Sequence, residues 1–221
     1  MIRAAVLALA FALAACQAPI ESPVTIGGEA AAFDPRLPGL WYAVDGTGPE
    51  AFRTSVLIAP RAGTDRLDVL TGYAEPGSEP VATEDAWRRF GAFGATVRAT
   101  RLLDRVVYVA ERDPDVGHDY TTSRRKPGLI LFTVAIDERG NLYLSGLSGD
   151  RIKKYGAGYG IHLIEESIEG DDTYRLLDAT ESELRTLLVA LGPALFSEVW
   201  GPLHRVADDE APLEVKGQSA P

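Results

Sequence analysis

The side chains able to do chemistry are few, and they stand apart. The chain has one cysteine, Cys16, and three histidines, His118, His162 and His204. Metal sites gather their ligands at short spacing, and here only His118 has acids beside it, Asp115 and Asp119. Asp113-x-Asp115 lacks the spaced third carboxylate and the distal glutamate of a calcium loop. A solvated loop is expected there, and no metal or other cofactor is assigned. Gly146-Leu147-Ser148-Gly149 approaches the nucleophile-elbow pattern, but Asp150 stands where the second glycine belongs, so Ser148 is expected in a turn. Tyr155-Gly156-Ala157-Gly158-Tyr159-Gly160 has the wrong glycine spacing for a dinucleotide site and reads as a flexible or bulged turn. Glu165 and Glu166 are neighbours, so in a strand they face opposite ways, whereas acid–base catalysis needs groups that converge. Arg124-Arg125-Lys126 is the one dense basic run. It is either a solvated loop or a contact to an acidic partner or a lipid phosphate. No catalytic constellation emerges, and an enzyme is not expected.

The amino terminus carries the most specific pattern. Arg3 supplies a positive charge, and residues 4–15 then run without a charged side chain, as in the n- and h-regions of a secretory signal. The run falls short of the ~20 residues a membrane-spanning helix needs. Leu13-Ala14-Ala15-Cys16 resembles the lipobox of bacterial lipoproteins at every position. The resemblance implies cleavage after residue 15, a diacylglycerol on the sulfur of Cys16, and an acyl chain such as palmitate on its new amine. At ~0.8 kcal/mol per buried CH₂, one chain binds marginally and two or more anchor stably. A lone cysteine in a secreted chain has no disulfide partner, which agrees with lipidation. Gln17, not Asp, follows, and by resemblance to bacterial sorting rules this favours the outer membrane, facing the periplasm.

Composition bounds the remainder. Apolar residues make up 46% of the chain and charged ones 24%, which indicates a globular domain. The formal charge of −10 disfavours nucleic acid and anionic headgroups as partners of the domain. The 14 prolines and 22 glycines suit a turn-rich β protein.

The elements follow from pattern. Residues 16–33, rich in Pro, Gly and Ala, read as a flexible tether behind the lipid. Strands are expected over 39–45, 52–59, 67–73 and 105–110, and one long or bulged strand over 87–103. Residues 73–85 and 113–126 read as loops. Residues 128–137 and 141–147 form a hairpin around Glu138-Arg139-Gly140. Strands over 159–165 and 174–177 flank an acidic turn. Thr180 with Glu183 makes a capping box, and Leu184, Leu187, Leu188 and Leu191 make an apolar stripe, so one helix is expected there, ended by Gly192-Pro193. Residues 195–206 return Phe196 and Trp200 to the body, and 207–221 read as an acidic, frayed tail. The expectation is a single mostly β domain over 34–206. It takes the form of an antiparallel barrel or sandwich of about eight strands, with one C-terminal helix packed on it.

Gly39-Leu40-Trp41-Tyr42 is similar to the Gly-x-Trp signature on the first strand of lipocalins, and Asp119-Tyr120 sits where that family places an Asp-Tyr pair. The resemblance implies a barrel whose closed end is plugged by Trp41. Residues 121–126 depart from it, being too polar for the strand that should follow. Two functions are therefore expected to compete. One is a non-catalytic interaction or structural module of the cell envelope, with a closed core and an envelope protein partner. The other is a carrier holding a lipid or small hydrophobic ligand in an apolar cavity. A filled interior or an empty one separates them.

Overall fold

The computed structural model describes residues 20–45, 52–74, 93–112, 128–167 and 173–206. Seven strands follow one another as an antiparallel meander: β3 (Gly39–Asp45), β4 (Phe52–Pro60), β5 (Arg66–Ala74), β6 (Phe93–Leu102), β7 (Arg105–Arg112), β8 (Leu129–Ile136) and β9 (Leu142–Leu147). The last strand, β12 (Phe196–Arg205), lies antiparallel between β9 and β3 and closes the ring. The result is a closed eight-stranded antiparallel barrel. The expected alternative, a sandwich, is excluded by that closure.

The barrel is full because its inward positions combine large and small side chains. Trp41, Tyr108, Phe132 and Trp200 point in, and so do Ala43, Ala95, Ala99 and Ala110. Ala99 lies across the ladder from Tyr108, and the Tyr108 and Phe132 rings stack at 5.5 Å. Small residues beside aromatic ones are how an eight-stranded interior is filled without strain.

A second core lies outside the barrel. The outer faces of β7 and β8, through Val107, Val109 and Leu131, are covered by α2 (Glu181–Leu191). Leu184, Leu187 and Leu188 of that helix are buried, as the stripe requires. The capping box at Thr180 and Glu183 is present in both directions. Three further strands extend the sheet from β8: β1 (Ile20–Ser22), β11 (Thr173–Asp178) and β10 (His162–Ser167). Among the described residues, β1 with β11 is the one parallel pairing. A two-residue strand, β2 (Glu29–Ala30), pairs with β6.

Three expectations need correction. The tether expected over 16–33 does not extend through residues 20–33, which belong to the domain. Ile20 and Ile26 are buried, and β1 and β2 join the sheet. Arg98 donates to Thr25 Oγ1 and to the Ile26 carbonyl, and the Gly27 amide donates to Glu181. The Pro/Gly/Ala content of this stretch hides three well-spaced apolar residues, Ile20, Val24 and Ile26. Second, among the described residues a short helix accompanies the expected one. Gly149–Tyr155 forms α1, capped by Ser148, and a single buried isoleucine, Ile152, leaves it no stripe to detect. Third, residues 156–159 form a 3₁₀ turn, and the strand expected from 159 begins at His162. The expectations over 75–92, 113–127 and 207–221 lie outside the described residues.

Candidate functional site

The barrel interior is the first place to look for a ligand. Trp41 is 1% exposed, its Nε1 donating to the Leu37 carbonyl at 2.9 Å. The Arg205 guanidinium lies over the ring at 5.6 Å and donates to the carbonyls of Pro38 and Arg36. Phe33 packs against Tyr108 at 5.9 Å, and Leu37 is buried. Asp34 is held below the ordinary carboxylate range by its hydrogen bonds from Arg36. Burial raises the Tyr108 phenol. Further in, the Trp200 ring fills the space above Gly146, where any β-carbon would collide with it. Among the described residues, a cavity of about 30 Å³ with a wholly apolar lining lies between Val56, Leu67, Val97, Phe132 and Leu144. That is the room of one water molecule, against the few hundred Å³ of a ligand pocket.

A buried charge cluster lies where β9 ends and the extension sheet begins. Arg175 of β11 reaches Glu198 of β12 with two nitrogens, at 3.0 and 3.1 Å. Glu198 also accepts from the Gly149 amide at 2.8 Å, the start of α1. Arg175 Nε stands 3.6 Å from Glu165, which binds Lys153 of α1 at 2.7 Å. The Arg175 guanidinium occupies the space beside Gly149 that a side chain would take. The cluster ties β10, β11, β12 and α1 to one another. Nothing in the sequence singles out Arg175 or Glu198, because the pair forms across strands far apart in the chain.

The residues named from sequence do not converge. Ser148 caps α1, accepting from the Arg151 amide, which fits the end of a strand and not an activated nucleophile. Glu165 joins the ion cluster, while Glu166 faces the other side of β10. His162 is exposed on β10. His204 Nδ1 lies 2.9 Å from Asn141 Oδ1. Asn141 donates its amide to Asp137, so its oxygen faces the imidazole and His204 donates. Hydrogen bonds from Asn141 hold Asp137 below the ordinary carboxylate value. Among the described residues, no three His, Cys, Asp or Glu side chains gather as metal ligands. Cys16, Asp113, Asp115, His118, Asp119, Tyr120 and Arg124-Arg125-Lys126 lie outside the described residues.

A larger concavity lies beside α2 and reaches Phe33, Val106, Tyr108 and Val134 of the barrel core. A groove of about 1130 Å³ runs between the C-terminal half of α2, residues 32–36 and the β6–β7 turn. Its rim carries Leu103, 67% exposed, and Val189, 45% exposed. Pro193 and Phe196 line it as well. It is open to solvent and holds no set of reactive groups.

Comparison of the chain with protein-family models, curated proteins and solved structures yields no match.

Proposed function

We propose that the protein is a non-catalytic interaction or structural module of the bacterial cell envelope. It is held through acylated Cys16 to a membrane, the outer membrane facing the periplasm being favoured by Gln17. The observation that carries this reading is the filled barrel: a residual space of about 30 Å³ cannot hold a lipid tail or a drug-sized ligand. The alternative, a carrier of a hydrophobic ligand, needs an interior roughly tenfold larger. The Leu103–Val189 groove supports docking of an apolar protein surface, since exposed apolar clusters mark such sites.

Lipid analysis, membrane fractionation and crosslinking test this. Mass spectrometry of the membrane-extracted protein is expected to find Cys16 as a lipid-modified amino terminus, and Cys16→Ala is expected to release the protein from the membrane. The domain exported behind a conventional signal, purified without detergent and extracted with organic solvent, is expected to yield the same lipids as a control periplasmic protein. One lipid per chain in that extract would replace the interaction reading with the carrier. In vivo crosslinking then identifies the envelope partner, and Leu103→Asp is expected to reduce that crosslink.

A further inference from the structure

We infer that the groove beside α2 takes an extended apolar segment of a partner protein. The segment adds as a strand between β7 and β8, where those two strands stop pairing. This deepens the docking proposed above and rests on that reading.

The barrel wall is not laddered along its whole height. β6 pairs with β7 as far as their turn, Leu102 with Arg105, and β8 pairs with β9 from Phe132 to Ile136. Between β7 and β8 the ladder runs from Glu111–Leu129 to Tyr108–Phe132 and stops there. Both strands continue beyond it. Arg105, Val106 and Val107 thus stand opposite Ala135, Val134 and Thr133, with no pairing between them among the described residues. Strand edges left open in this way are templates for another chain. The groove of about 1130 Å³ coincides with this seam, since both edges line it. It is lined from both sides of the wall: Val106, Tyr108 and Val134 belong to the barrel core, and Val107, Leu188 and Leu191 to the core under α2.

These features specify the occupant. The open edges take a segment about three or four residues long, at ~3.3 Å per residue. Insertion between two strands is the mode of donor-strand complementation, in which main-chain hydrogen bonds give affinity and side-chain sockets give specificity. A strand here turns alternate side chains to the barrel core and to the core under α2, so it must be apolar on both faces, as a central strand is. Downstream of Cys16, the sequence outside the described residues has no run of three apolar side chains. The chain's own long runs, such as Leu129–Val134, are already barrel strands. The segment therefore comes from another protein. Charge sets its flanks. At the rim Arg36 is bound by Asp34, and Arg105 meets Asp104 at 3.4 Å. Asp104 is the more exposed of that pair, 80% against 46%, and the chain carries −10 overall. A lysine or arginine beside the apolar stretch complements this rim, whereas an acidic flank is repelled.

The test uses the full mature chain, made soluble by Cys16→Ser, and an end-blocked synthetic peptide, Lys-Val-Ile-Val-Ile-Lys. Added peptide is expected to slow amide hydrogen exchange at least about tenfold over residues 105–107 and 133–135, read by mass spectrometry. Exchange in the β3–β4 and β4–β5 ladders is expected to stay the same. A peptide with proline in place of the second valine keeps its apolar character but cannot complete a ladder, and is expected to give no slowing. Glutamates in place of the two lysines are expected to weaken the effect severalfold. No slowing with the parent peptide, or equal slowing with the proline peptide, overturns strand addition. The interaction reading is judged separately, by the envelope crosslink and its loss in Leu103→Asp. A crosslink lost in Leu103→Asp, with exchange at the seam indifferent to peptide, means docking on the surface, and only the added strand is discarded. An envelope crosslink that never forms removes the interaction reading itself.

Discussion

Arg175 and Glu198 form a two-pronged ion pair, its contacts at 3.0 and 3.1 Å, between the extension sheet and the strand that closes the barrel. The arginine side chain is 4% exposed and the glutamate 21%. A charge this deep tolerates its site only because its partner is present. Glu198→Gln is therefore expected to cost about 2–4 kcal/mol, read as a lower urea midpoint at unchanged slope. The double variant Arg175→Met, Glu198→Leu is expected to cost less than Glu198→Gln alone. A single variant that unfolds like the parent would show that the pair contributes nothing.

A second relationship fixes the interior. The Trp200 ring lies against Gly146, which leaves no room for a methyl group. Gly146→Ala is expected to destabilise by about 1–3 kcal/mol through overpacking. Gly158, with open space around its α-carbon, is the control. Gly158→Ala is expected to be neutral or to stabilise by up to about 1 kcal/mol, because it restricts only the unfolded chain. Denaturant unfolding of the two variants separates packing from backbone entropy.

Much of the barrel was legible because its meander strands alternate cleanly and their turns carry the expected residues. Asp137 and Gly140 bracket the β8–β9 turn, with Gly140 at φ 80°, and Thr180 with Glu183 announces α2. The closing strand was harder to recognise. Its register shifts between Phe196 and Glu198 and again between Trp200 and Leu203, so inward positions lose the two-residue period that marks a strand. Closure, and with it the choice of barrel over sandwich, depends on this segment. The candidate sites were less legible still. The Arg175–Glu198 pair is made by tertiary proximity alone. The burial of Ile20 and Ile26 depends on α2 and β6, which a reading of residues 16–33 cannot anticipate. The filled interior depends on the volume sum of four aromatic rings and the alanines facing them, which no local pattern encodes.

Stability is expected to fall in acid, and the carboxylates at turns and caps give the direction. Asp34, Asp137 and Glu183 are all held below their ordinary values, by Arg36, Asn141 and Thr180 respectively. A carboxyl whose folded pKa is depressed binds its proton more readily in the unfolded chain. Its contribution is therefore complete above the ordinary values of 3.8 and 4.5 and is lost as pH falls through the depressed ones. The urea midpoint is expected to be flat from pH 7 to about 5 in respect of these groups, and to drop below about 4. Asn141→Ala is expected to flatten the Asp137 part of that drop. Thr180→Ala removes the α2 cap as well as the Glu183 contacts, and is expected to cost about 1 kcal/mol at neutral pH.

Leu103 supplies the last prediction, because it stands where a leucine is costly. Leu102 pairs with Arg105, leaving Leu103 and Asp104 as a two-residue hairpin turn in which Leu103 adopts φ 57°. The left-handed region disfavours a branched L-side chain by roughly 1–2 kcal/mol, and asparagine tolerates it far better. The side chain recovers nothing by burial, being 67% exposed at the rim of the groove. Leu103→Asn is accordingly expected to raise stability by about 0.5–1 kcal/mol, measured by urea unfolding. If the groove docks a partner, the same substitution lowers the yield of the envelope crosslink while the fold becomes firmer. A variant that is more stable and crosslinks as well as the parent would remove Leu103 from any binding role. A gain in stability matched by a loss of contact would mean that the turn carries a leucine for the partner's sake and not for the fold's.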